Sequence, residues 1–153
     1  MTHLILWRHA EAVDGYPDHA RALTPRGEQQ AKHMARWLNR FLPTPYRILS
    51  SPATRTLQTA HALAEEVETH PLLHVGSSPR EILQAIGWPE MPMPTVVVGH
   101  QPTLGQVAAL LLSGITNDWS VPKGALWWIT QRERDLADQV VLRAMLSPEF
   151  IRD

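Results

Sequence analysis

Cysteine is absent from this chain of 153 residues. That absence excludes disulfides, thiolate nucleophiles and cysteine-ligated zinc or iron–sulfur centres, and it fits a reducing compartment. A net charge of either sign is nearly missing too, since 14 Lys and Arg stand against 15 Asp and Glu and leave a formal charge of -1. No global basic field draws such a protein to nucleic acid or an anionic membrane, so any anion site must be local. Long apolar runs are lacking as well. The longest, residues 4–7, 95–98 and 107–112, fall well short of the roughly 20 residues of a membrane span, and the first six residues lack the basic start of a signal peptide. A cytoplasmic protein without membrane or nucleic-acid partners is expected. The chain also has no GxSxG elbow, no Gly-rich Walker loop, no HExxH and no paired-carboxylate metal spacing.

What the chain does hold is suited to one domain over residues 1–153. Hydrophobic residues make up 44% and charged residues 19%, the balance of an ordinary globule. The thirteen prolines fall mostly between periodic segments, and no repeat or linker divides the chain.

Residues 4–7 read as a buried strand that ends at Arg8-His9, followed by a loop over 10–22. Thr24-Pro25 has the form of an N-cap with proline at the first helical position, and Ala31, Met34, Ala35, Leu38 and Leu42 follow at helical spacing until Pro43. Residues 47–50 form a second strand. Ser51-Pro52 repeats the cap-plus-proline pattern, and Leu57, Ala60, Ala64 and Val67 predict a helix opening straight off that strand. A short helix is expected over 80–86 and a loop over 87–94. The run 95–98 is the best strand in the chain, and Gly99-His100-Gln101-Pro102 is its exit into a helix that stops at Gly114. Residues 125–130 and 139–145, joined by the polar segment 131–138, predict a terminal hairpin. The order implies an α/β domain of three layers: a mostly parallel central sheet with one antiparallel strand and helices on both faces.

Ligands of open α/β sheets bind beyond the carboxyl ends of the strands. Three predicted strands end there in Arg8-His9, in Ser50-Ser51 and in Gly99-His100. Two of these ends feed helices whose first N–H groups are free donors, and Arg55 lies one turn into the first of them. Two arginines, two histidines and helix starts make a site for a phosphate dianion or another oxyanion. With no cysteine and no serine elbow, histidine is the remaining nucleophile. A neutral imidazole can attack phosphorus in line while neighbouring cations neutralise the equatorial oxygens.

Four segments, in this order, carry a family resemblance. Leu6-Trp7-Arg8-His9-Ala10-Glu11-Ala12 resembles the RHG or RHA signature of the histidine phosphatase (phosphoglycerate-mutase-like) superfamily. Leu23-Thr24-Pro25-Arg26-Gly27 is similar to its LTxxG helix start, Ser50-Ser51-Pro52-Ala53-Thr54-Arg55-Thr56-Leu57-Gln58-Thr59-Ala60 to its SSPxxRxxQTA segment, and Val98-Gly99-His100 to its second-histidine motif. The short length, Ala10 in place of glycine and the segment Lys123-Gly124-Ala125-Leu126-Trp127-Trp128 look most like the SixA-type branch of phosphohistidine phosphatases. The resemblance implies that His9 is transiently phosphorylated in a metal-free and cofactor-free hydrolysis, with Arg8, Arg55 and His100 as the phosphate pocket. It implies a phosphohistidine carrier protein as partner, with a small phosphorylated metabolite or a non-catalytic phospho-ligand module as alternatives.

The general acid is less defined. Larger members place a carboxylate where this chain has Pro71-Leu72-Leu73-His74-Val75-Gly76-Ser77, which holds none. Glu11 and Asp18 are the substitutes, and Arg21 and Ser51 are candidate substrate contacts. A phosphoramidate nitrogen leaves with little help from an acid, so weak acid catalysis suits phosphohistidine better than an alkyl ester. His3, His33, His61, His70 and His74 have no partner motif and read as surface or packing residues.

Overall fold

Strand β1, Thr2–Arg8, occupies the middle of the sheet because its two faces are both apolar: Leu4, Ile5, Leu6 and Trp7 are all fully buried. The computed structural model describes residues 1–134 and 137–151. In it, β2 (Arg47–Ser50), β3 (Glu68–Thr69), β4 (Thr95–Gly99), β5 (Leu126–Arg134) and β6 (Ala137–Leu146) join β1 in one sheet of order β3-β2-β4-β1-β5-β6. Strands β1, β4, β2 and β3 pair in parallel, and β5 runs against both β1 and β6. The expected single antiparallel strand is therefore β5. Residues 135 and 136, inside the segment expected to join the hairpin, lie outside the described residues, and both strands extend further into that segment than periodicity suggests.

Helices α1 (Pro25–Phe41) and α2 (Thr54–His61) cover one face, where Met34, Leu38 and Ala60 meet Ile5, Trp7, Val96 and Val98. Helices α3 (Pro79–Ile86) and α4 (Thr103–Ser113) cover the other, where Ile82, Ile86, Leu104 and Val107 meet Leu4, Leu6 and Val97. Truncating one of the buried Leu, Ile or Met side chains among these to alanine costs about 2–5 kcal/mol. The caps follow the expected chemistry at α1, where the Thr24 hydroxyl accepts from the Gly27 N–H. At α4, Gly114 closes the helix in the left-handed conformation.

Helix α2 corrects the sequence reading. Its N-cap is Ala53 rather than Ser51, and it ends at His61, so Ala64 and Val67 are not on it. The chain turns instead to the short edge strand β3 and a 3-10 turn, Pro71–Leu73. The apolar stripe continued past the helix because Val67 still packs on the same core, which periodicity cannot tell from another helical turn.

Register brings the functional ends together. Arg8 pairs with Gly99 and Ser50 with Val98, so His9, Ser51 and His100 leave one edge of three adjacent strands. The His9 N–H donates to the Gly99 carbonyl at 3.1 Å and the Ser51 N–H to the Val98 carbonyl at 3.1 Å. The segment after His9 is closed by a bridge between Ala12 and Leu23, which loops Asp18 back over α2. That closure depends on a close approach at the start of α1: a Cβ on Gly27 would stand 2.0 Å from the Glu11 carbonyl oxygen. Gly27→Ala must push the helix and the loop apart, and a loss of about 1–3 kcal/mol is expected. Urea unfolding checks it, as a lower midpoint at unchanged slope.

Candidate active site

His9 is held from both sides. Its backbone carbonyl accepts from the Gly124 N–H at 2.9 Å, and its ring Nδ1 lies 2.8 Å from the Ala10 carbonyl. A carbonyl oxygen can only accept, so Nδ1 carries the proton and Nε2 keeps its lone pair. The residue is 6% exposed. Burial lowers its pKa to about 4, against the Ala10 carbonyl, which favours protonation, and with help from the charges of Arg55, Arg8 and Arg21. The ring is thus a neutral base at ordinary pH.

The arginines approach from different elements. Arg8, at the end of β1, donates through Nη1 to the Val121 carbonyl at 3.0 Å. Arg55, buried in the first turn of α2, donates through Nη1 to the Asp18 carbonyl at 2.8 Å and through Nη2 to the Asp18 carboxylate at 3.1 Å. Among the described residues the buried Nε of each finds no hydrogen-bond partner. An unpaired buried donor on a cation is costly, and two of them beside one carboxylate leave the site short of negative charge. The helix starts agree with this. Neither Ala53 nor Pro102 supplies a side-chain cap.

His100 stands 5.4 Å from His9, ring centre to ring centre. Arg55 Nη2 lies 3.4 Å from its Nδ1 and Ser51 Oγ lies 2.8 Å from its Nε2. Because a guanidinium only donates, Nδ1 is the unprotonated nitrogen, and Nε2 donates to Ser51. Burial, followed by Arg55 and His9, lowers the His100 pKa to about 3, with Asp18 working in the opposite direction. Ser51, expected as a substrate contact, therefore orients His100. Its Oγ also accepts from the Ala53 N–H at 3.2 Å.

The remaining candidates separate. Asp18 belongs to the site: its carboxylate takes Arg55 on one oxygen and the Arg21 Nε on the other, at 3.1 Å each. The hydrogen bond from Arg55 is the main cause that lowers its pKa, so it stays ionised. Arg21 braces Asp18 and the Val13 carbonyl. Glu11 is turned away, since its carboxylate accepts from the Thr24 hydroxyl at 2.7 Å, at the start of α1. Thr59, given no role in the sequence reading although it falls in the QTA segment, accepts through Oγ1 from the Ala10 N–H and donates to the Arg55 carbonyl, tying the nucleophile loop to α2. That reading also missed His19 and His74, which line a cleft beside Ser51. Among the described residues no group of three or more His, Cys, Asp or Glu side chains is placed to hold a metal ion, and no helix is long and apolar enough to cross a membrane.

Residues 4–76, which carry His9 and Arg55, match the sequence profile of the histidine phosphatase superfamily, branch 1. An uncharacterized protein of Picosynechococcus is 37% identical over 123 residues, covering 74% of each chain. The chain belongs to the histidine phosphatase superfamily. Phosphatase activity goes with that membership. Among solved structures, the protein histidine phosphatase SixA complexed with tungstate superimposes with a TM-score of 0.79 at 25% identity, over 95% of this chain and 97% of that one. The fold is shared more widely: a phosphoserine phosphatase of Entamoeba histolytica in complex with 3-phosphoglyceric acid matches with a TM-score of 0.70 at 21% identity, over 96% of this chain and 98% of that one. Fold alone thus does not choose the substrate of this histidine phosphatase.

The two buried imidazoles give the phosphatase a pH signature. Both are harder to protonate in the folded chain than the ordinary 6.5, at about 4 and about 3. The unfolded chain takes up these protons first as pH falls, so their contribution to stability is complete above about pH 6.5 and is lost progressively below it, toward pH 4 and then 3. Urea midpoints measured from neutral to acidic pH should fall across that window. A His9→Ala variant should lose part of the slope.

Proposed function

We propose that this protein is a metal-independent phosphatase that works through a phosphohistidine on His9 and acts on phosphohistidine carried by a protein. The observation that carries the mechanism is the His9 ring, whose Nδ1 is committed to the Ala10 carbonyl while Nε2 keeps its lone pair beside Arg8 and Arg55. The two guanidinium groups bind the phosphate oxygens, using donors that include their unpaired Nε atoms. An anion there raises the His100 pKa, so that its Nδ1 takes a proton and becomes a further donor. His9 Nε2 attacks phosphorus as the bond to the leaving group breaks. Water then attacks the phosphohistidine, the electron pair of the P–N bond returns to Nε2, and the protons of water leave with the phosphate.

The substrate class rests on the acids. Asp18 is an ionised partner of two arginines and Glu11 is engaged at the start of α1, so neither supplies a proton to a leaving alkoxide. An imidazole whose remote nitrogen already bears a proton departs from phosphorus without one. The likeness to a SixA structure holding tungstate supports an oxyanion pocket of this kind.

A metal-free turnover assay tests the reading, comparing a phosphohistidine-bearing protein with a panel of sugar and nucleotide phosphates in the presence of EDTA. Preference for the P–N bond is expected. Preference for one ester would move the function to a small metabolite, and binding of phosphate without turnover would leave only a phospho-ligand module.

A further inference from the structure

A cleft of about 480 Å³ opens beside the phosphate pocket, lined by residues that include Asp18, His19, Ser51, Pro52, His74 and Val75. Two of these belong to the site already described. Ser51 holds His100 and Asp18 holds Arg55, so a molecule seated in the cleft is beside the phosphate it carries. The volume exceeds what one small ring needs and leaves room for the chain that bears it.

His74 is exposed, but its ring is oriented. Nδ1 lies 2.7 Å from the Val75 carbonyl, which can only accept, so Nδ1 is the protonated nitrogen and Nε2 carries a lone pair. His74 thus brings to the cleft lining a ring that can accept through Nε2. We infer that this cleft receives the leaving imidazole of a phosphohistidine, and that His74 Nε2 accepts a hydrogen bond from the ring nitrogen remote from phosphorus. The inference rests on the proposed phosphohistidine reading and deepens it by giving specificity to a residue outside the phosphate pocket.

The chemistry favours such an acceptor. A phosphohistidine ring leaves as neutral imidazole when its remote nitrogen already bears a proton. The bond from His9 Nε2 to phosphorus forms, the P–N bond to the substrate breaks, and its electron pair stays on the departing ring. The remote proton remains where it was throughout. A hydrogen bond to His74 favours that protonated ring and so the better leaving group. An alkoxide carries no such N–H and gains nothing from the same contact.

The test compares kcat/KM on a phosphohistidine-bearing peptide with kcat/KM on p-nitrophenyl phosphate, both without metal, for the wild type, His74→Ala and His74→Gln. Loss of one hydrogen bond to a charged group should lower the ratio of the two values about tenfold in His74→Ala, and the amide oxygen of His74→Gln should restore most of it. A purely structural role would lower both activities together and leave the ratio unchanged. An unchanged ratio in His74→Ala, or a His74→Gln ratio as low as that of His74→Ala, overturns the inference while leaving the phosphohistidine reading in place. A wild type that cleaves only esters overturns both.

Discussion

His9→Ala abolishes turnover, with an expected fall in kcat/KM on the order of 10⁵-fold or more, as for removal of other covalent nucleophiles. Among the described residues no other group in the site is free to take over the attack. His100, the nearest imidazole, has its Nε2 committed to Ser51 and its Nδ1 turned to Arg55. The Ser51 hydroxyl accepts from the Ala53 N–H and lies against His100 rather than free in the pocket. Steady-state kinetics on p-nitrophenyl phosphate give the rate. A second measurement separates loss of the nucleophile from loss of the fold: brief mixing with ³²P-labelled substrate and an alkaline quench should trap label on the wild type and none on the variant. Both chains should still bind inorganic phosphate, because Arg8, Arg55 and His100 remain. Near-full activity in His9→Ala would sink the covalent mechanism.

The wild-type pH profile follows from the same ring. Since His9 holds its Nε2 lone pair down to about pH 4, the acid limb of kcat/KM from this group should lie near 4 rather than near the ordinary 6.5.

Arg55→Ala is expected to lower kcat/KM by about 10²–10³-fold, the usual consequence of deleting one preorganised donor group from a transition-state site. Arg55 is 3% exposed, and its guanidinium is shared among the Asp18 carbonyl, the Asp18 carboxylate and the His100 ring. Removing it therefore does three things together. The phosphate loses a forked donor, the loop carrying Asp18 loses its anchor on α2, and His100 loses a neighbouring cation that had lowered its pKa.

Arg55→Lys should recover only part of the loss, because a single ammonium cannot hold the Asp18 backbone, the Asp18 carboxylate and a phosphate oxygen in one plane. Arg55→Ala should move the His100 titration upward, which histidine ring-proton NMR reads directly. Activity within tenfold of wild type in Arg55→Ala would mean that Arg8 and the helix starts suffice for the phosphate.

Much of this site was legible from sequence because its parts are local events at strand ends. A buried apolar run must end in polar residues where it leaves the core, so Arg8-His9 and Gly99-His100 stand out beside Leu4 to Trp7 and Thr95 to Val98. A threonine followed by proline is itself a helix start, and α1 begins there. The packing of Ser51 was less legible. The same serine-proline pattern that caps a helix elsewhere leaves Ser51 two residues ahead of the N-cap here, free to reach His100.

The sequence by itself determined the α/β order, the parallel strand ends that carry the two histidines, and the arginine on the helix between them. Each depends on the burial of a continuous apolar segment and on short-range backbone chemistry. Only the tertiary structure decided which of the two carboxylates meets Arg55. Glu11 and Asp18 lie in the same loop, and either could face Arg55 as far as spacing is concerned. The closure of that loop by Ala12 and Leu23 sends Glu11 to Thr24 and carries Asp18 across to Arg55, 37 residues away. The assignment follows because ion pairs between distant segments depend on where the sheet and helices place the loop, which no local pattern encodes.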